Sequence, residues 1–129
     1  MGLDMVLTER RAEYAEALEC ALDELVAHLS NMPEVERVIL FGSYADGTFD
    51  MDSDVDVLVV ASGLPRGWGR RRVCLERFGF PARLETFPYT PGEFLETCRR
   101  GGGVAYSALT EGQVLYLDPD YREQLLRVL

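Results

Sequence analysis

An apolar run that ends in glycine, followed a short way on by two aspartates one residue apart, constrains this chain more than any other feature. Val38-Ile39-Leu40-Phe41 reads as a buried strand, with four β-branched or large apolar residues ahead of a break at Gly42. Gly42 lets the backbone turn and approach a ligand closely, where a Cβ would interfere. Ser43 adds a small hydroxyl that can donate to a phosphate oxygen or cap the turn. Asp54 and Asp56 then head a second apolar run that continues to Val60. Residues two apart on a strand share a face, so the carboxylates stand about 6.6 Å apart along one side of the chain. Val55, Val57 and Val59 take the opposite face, against the core. Two carboxylates at the start of an apolar strand are costly to bury without a cation, and a divalent metal is the obvious candidate.

The spaced pattern Gly42-Ser43, then Asp54-Val55-Asp56, with Ala45 and Gly47 in the turn and Ser53 before the first aspartate, resembles the signature of the DNA polymerase β-like nucleotidyltransferases. It looks most like the smallest members, the minimal nucleotidyltransferases. The resemblance implies an α/β fold: a small mixed β-sheet with helices packed against one face, like the palm of polymerase β. It implies magnesium-dependent transfer of AMP from ATP to an acceptor hydroxyl. Gly42 and Ser43 would meet the β- and γ-phosphates, and Asp54 and Asp56 would hold two magnesium ions. Glu85, on a third strand, would hold the ion on the nucleophile's side, with Glu93 the next candidate for that role. The family more often has aspartate at the third position. Asp46 stands where the family often has a basic residue. With Asp50 and Asp52 it adds negative charge beside the triphosphate, which implies weak binding of free nucleotide without metal.

Proteins of this look occur beside a small all-helical HEPN toxin and, by resemblance, act as its antitoxin by placing AMP on one of its tyrosines. Two other readings stay open. One is a small-molecule adenylyltransferase of the aminoglycoside-modifying type, its acceptor site completed by a second subunit. The other is an antitoxin module that neutralises its partner by contact alone.

Length and charge narrow the field. The 129 residues suit a single domain, and 47% apolar residues suit one core. With 22 acidic against 13 basic residues the chain carries −9, which disfavours direct binding to nucleic acid and favours a basic partner. Cys20, Cys74 and Cys98 are scattered and form no zinc or disulfide pattern, as in a cytoplasmic protein with reduced thiols. No signal peptide or membrane span is evident. A calcium loop starting at Asp50 fails, because Val55 and Ala61 stand where glycine and glutamate are needed. Serine-hydrolase chemistry fails too: Ser43 lacks a nucleophile elbow and His28 is the only histidine. That histidine reads as a solvated, dipole-compensating residue near a helix end.

Periodicity places the rest. Leu18, Leu22, Leu25, Val26 and Leu29 form one stripe of a helix over residues 8–30, with Thr8 as N-cap. Strands are expected over 34–41, 54–60 and 82–87. Between the last two, Arg66, Arg70, Arg71, Arg72 and Arg77 interleave with Val73, Leu75 and Phe78, as in an amphipathic helix. Those arginines are either a solvated face or a surface for phosphates or an acidic partner. Trp68, between two glycines, is either an exposed partner anchor or folded onto the core. Thr90-Pro91-Gly92-Glu93 opens a helix as a capping box and runs to about Arg100. A further helical turn is expected over 104–109, a strand over 114–117 and a last helix over 118–129.

Overall fold

The strand headed by the two aspartates lies inside the sheet, with a neighbour on each side. A computed structural model describes residues 3–47, 54–75 and 80–120. In chain order these form α1 (Leu3–Ser30), β1 (Val35–Phe41), α2 (Ser43–Asp46), β2 (Val55–Ala61), α3 (Trp68–Leu75), β3 (Leu84–Tyr89), α4 (Pro91–Arg100), α5 (Gly103–Glu111) and β4 (Gln113–Leu117). The strands are ordered β3-β2-β1-β4. β1 runs antiparallel to both β2 and β4, whereas β2 and β3 are parallel. The sheet is therefore mixed. A parallel neighbour needs a long crossover, and the segment carrying α3 supplies it.

Helices cover both faces of this sheet, not one. On the first face the α1 stripe Leu18, Leu22, Leu25 and Leu29 packs against Val35, Val38 and Leu40 of β1 and Val55, Val57 and Val59 of β2. On the second, Phe94 of α4 and Ala105 and Ala108 of α5 cover Ile39, Leu58 and Val60. The physical reason is in β2 itself: Leu58 and Val60 share the face of Asp56, so that face is apolar beyond its first residues. Exposing them would forgo roughly 1.5–3 kcal/mol per side chain.

Four local expectations shift. Helix α1 begins at Leu3, which puts Thr8 inside the helix and not at its start. The residues ahead of Thr8 are mostly good helix formers and simply extend it. Strand β3 runs on through Pro88 to Tyr89, which an edge strand tolerates because its outer side needs no N–H. Val73 on α3 is 80% exposed and joins no core, while Arg71 of the same helix is buried. Phe78 and Arg77 fall outside the described residues, as does most of the expected last helix. Helix α4 follows its capping signal: Glu93 N–H donates to Thr90 Oγ1, and Thr90 N–H to Glu93 Oε1.

Trp68 meets Tyr89 edge-on, with ring centroids 5.3 Å apart, yet remains 45% exposed. It is both packed and open. Cys20 and Cys74 are exposed and all three thiols are free. No described helix is long and apolar enough to cross a membrane.

Candidate active site

The strand directions bring the separate motifs to one end of the sheet. Because β1 is antiparallel to β2, its last residue, Phe41, stands opposite Asp56. The Gly42-Ser43 turn therefore leaves β1 beside the aspartates. Because β3 is parallel to β2, it begins at that same end, with Val55 opposite Leu84 and Asp56 opposite Glu85. Registered neighbours on adjacent strands are about 4.8 Å apart and point to one face. Asp56 and Glu85 are thus side by side, and Asp54 precedes them on the same face by the two-residue repeat. Phe41 and Phe87, with ring centroids 5.3 Å apart, pack into the apolar cluster on this face and floor the site.

Gly42 fits this site for two reasons. Its φ of 80° lies where side-chain-bearing residues are rare, and a Cβ built on it would overlap Asp56 Oδ2. Backbone and carboxylate touch across a gap that only glycine leaves open. Ser43 then begins α2, whose N-terminus has no side-chain cap. N–H groups in the first turn of a helix lack intrahelical partners and are where an anion is met. Gly42→Ala is expected to cost about 2 kcal/mol or more in a thermal melt and to lower activity at least about tenfold. Gly47→Ala serves as the comparison, since Gly47 has a similar φ of 82° but no atom of the described residues within 4 Å of its Cβ position. Equal costs for the two would refute the close approach to Asp56.

The charges here are only loosely answered. Arg72 Nη2 lies 4.0 Å from Glu85 Oε1, and Arg83 Nε lies 3.9 Å from Asp54 Oδ1. Both are long for ion pairs. Asp56, between these acids, pairs with no described cation. Burial, reinforced by the carboxylates of Glu85 and then Asp54, pushes its carboxyl up from 3.8 to about 6. A site that raises a carboxyl in this way favours an added positive charge. The donors are all hard oxygens, which suits magnesium, and in that respect the residues fit a divalent ion. Among the described residues, no three acidic, thiol or imidazole groups already converge as a ligand set. The carboxylates line the strand ends without closing on one point.

Glu93 is removed from contention. Its carboxylate receives Arg71 Nη1 at 2.6 Å and Nη2 at 3.4 Å, and also closes the helix cap. The hydrogen bond from Arg71 leads the effects that hold its carboxyl down at about 2. Arg71 in turn donates to the carbonyls of Pro65 and Pro88, so it belongs to neither of the roles expected for the arginine-rich stretch. Arg83 was not singled out by its sequence context. It stands two residues before Glu85, so the strand repeat alone places it on the face of that acid. Asp46 is exposed on α2, while Asp50 and Asp52 lie outside the described residues.

The chain is similar to known proteins. The family model for the nucleotidyltransferase domain matches residues 22–88, just over half of the chain. Over 32 residues the chain is 56% identical to a candidate protein adenylyltransferase of Methanocaldococcus jannaschii, a stretch covering 25% of this chain and 32% of that relative. The crystal structure of a candidate nucleotidyltransferase from Sulfolobus solfataricus overlays with a TM-score of 0.52 and 20% identity, covering 81% of this chain and 83% of that one. A chain of a toxin–antitoxin structure with AMP-PNP overlays with a TM-score of 0.49 and 20% identity, over 82% of this chain and 78% of that one. The Sulfolobus overlay establishes a shared fold. Since the family match runs from Leu22 to Pro88, through the Gly42-Ser43 turn, both aspartates and Glu85, this chain belongs to the nucleotidyltransferase-domain family.

Proposed function

We propose that this enzyme transfers AMP from ATP to a hydroxyl of a partner protein, a tyrosine of a small helical HEPN-type toxin, and so acts as its antitoxin. The observation that carries the reading is the grouping of Asp54, Asp56 and Glu85 at one end of β2 and β3, beside the Gly42-Ser43 turn. A protein acceptor is supported by the Methanocaldococcus jannaschii relative, matched over about a third of its length. The toxin partner rests on the motif's resemblance to minimal nucleotidyltransferases, and the net charge of −9 suits a basic partner.

In the reaction the acceptor hydroxyl gives its proton to a carboxylate of the site or to water, its oxygen attacks the α-phosphorus, the bond to the bridging oxygen of the β-phosphate breaks, and pyrophosphate leaves. Asp54, Asp56 and Glu85 would hold magnesium, which when bound neutralises phosphate charge and orients the reacting oxygens. The turn at Gly42 brings the uncapped N–H groups of α2 to the phosphates, and the Ser43 hydroxyl donates there. Phe41 and Phe87 keep water from the floor beneath the carboxylates. ATP labelled at the α-phosphate, with magnesium and the partner, tests the reading. Label is expected on the protein partner, and none when the label is on the γ-phosphate. Label on a small molecule, or neutralisation of the partner without label, would replace it with one of the other two readings.

Within this proposal Glu85 acts on the nucleophile's side. Glu85→Gln is expected to lower kcat about tenfold to a hundredfold while ATP affinity changes less than about threefold. Isothermal titration with a non-hydrolysable ATP analogue and single-turnover kinetics separate the two. A matching loss of ATP affinity would contradict this division of labour.

A further inference from the structure

On the sheet face opposite Asp56 and Glu85, α1 and the edge strand β4 leave a groove of about 300 Å3. Leu22, Val26, Leu40 and Leu115 line it, with Glu19 and Asp23 of α1 and Tyr44 of α2. Pockets for small-molecule ligands span about 300–1,000 Å3, so this one has room for a single side chain more readily than for a nucleotide. The acids carry an observation of their own. They are i and i+4 on one helix, a spacing at which like charges repel, and no described ion pair engages either. Burial and then the Glu19 and Asp23 carboxylates raise the pKa of the Tyr44 hydroxyl, so both charges act on a residue that lines the groove. Glu16 continues the acidic line one turn earlier. From residue 12 to residue 30, α1 carries Glu13, Glu16, Glu19, Asp23 and Glu24 with no lysine or arginine.

We infer that this groove is a docking site for an arginine or lysine side chain on the surface of a partner protein, its aliphatic stem against the leucines and its cation between Glu19 and Asp23. Long basic side chains have this divided character: an apolar stem and a charged end. The guanidinium or ammonium would relieve the repulsion along α1, and the chain's excess of acid would steer a basic surface toward it. The site is separate from the transfer chemistry and does not depend on which hydroxyl receives AMP.

Methyl NMR of the full chain tests it with three short capped peptides, identical except for a central arginine, citrulline or norleucine. The arginine peptide is expected to shift the methyls of Leu22, Val26, Leu40 and Leu115 in a saturable way. Citrulline keeps the shape without the charge and should bind about tenfold more weakly, as should the arginine peptide to a Glu19→Gln/Asp23→Asn variant. That variant should keep its nucleotide binding, which separates a failure here from a failure of the proposed transfer site. The inference is overturned if the citrulline peptide binds equally, if the shifts map elsewhere, or if spermidine fills the groove while the arginine peptide does not.

Discussion

Replacing Asp56 by asparagine should abolish transfer and at the same time make the metal-free protein more stable. The two effects share one cause. In the folded chain Asp56 is flanked by Glu85 and Asp54, and its carboxyl is raised to about 6, against 3.8 without the fold. A raised folded-state pKa means that ionisation costs stability. The cost is absent below about 3.8, grows across the interval to about 6, and is fully present above it. Wild-type protein in chelator should therefore lose stability as pH rises through that window, and Asp56→Asn should not. At 1.36 kcal/mol per unit, and discounted for the solvent that reaches the site, the gain at neutral pH is about 1–2 kcal/mol. That corresponds to about 4–8 °C in Tm for a chain of this size. Magnesium should stabilise the wild type and leave the variant unchanged. Transfer should fall at least about a hundredfold in Asp56→Asn and in Asp54→Asn, since stabilisation of several kcal/mol is lost at the transition state. A pH-independent melt in wild type, or turnover near the wild-type level in either variant, would overturn the site assignment.

The second large effect lies away from the carboxylates. Arg71→Met should cost about 2–4 kcal/mol in denaturant unfolding, with little change in the slope against denaturant. The side chain of Arg71 is 10% exposed and joins four places at once: its own helix α3, the Pro65 loop, the Pro88 carbonyl on β3 and Glu93 on α4. Methionine keeps much of the stem but leaves the two carbonyls without the Arg71 donor and the Glu93 carboxylate with the Thr90 N–H alone. Glu93→Gln should cost less, about 1 kcal/mol, because Glu93 is 48% exposed and water replaces part of what is lost. The pair also sets an acid limit. Glu93 is held at about 2, below 4.5 for the free group, so its contribution is present above about 4.5 and is lost as pH falls toward 2. A loss below about 1 kcal/mol for Arg71→Met would show that these contacts do not bind α3 to the sheet.

Arg71 also shows where reading a sequence stops. Its acidic partner is 22 positions away, and no local period connects them, so a row of arginines looks like a solvated face. The strands that carry Asp54, Asp56 and Glu85 were legible because their patterns are local or repetitive, a two-residue step on one and an alternating stretch on the other; the link from Glu85 to the aspartates came from the family resemblance. The capping box at Thr90 and Glu93 was legible for the same reason, although its glutamate proved to serve two partners. The second layer of helices was present in the pattern but easily missed. An aspartate-headed strand suggests an open polar face, whereas Leu58 and Val60 on that same face require a cover, which α4 and α5 provide. The pairing of β2 with β3 and the closeness of Gly42 to Asp56 are tertiary facts that spacing alone does not contain.

Among the described strands β3 ends the sheet on the side of the carboxylates, and an exposed strand edge is an invitation to another chain. Here that invitation is withdrawn by arginine. Arg72 Nε donates to the Thr86 carbonyl at 3.0 Å, Arg71 Nη1 takes the Pro88 carbonyl, and Pro88 has no N–H to offer. Alternate residues of a strand turn their backbone groups to the same side, so these two arginines occupy the outward acceptors in sequence. Self-association by strand addition is thereby directed away from Glu85 and toward the opposite margin, where β4 has β1 as its one described neighbour and Val114 is exposed. Loss of the Arg72 guanidinium would turn the margin beside Glu85 into a sticky one, with aggregation on heating as its symptom.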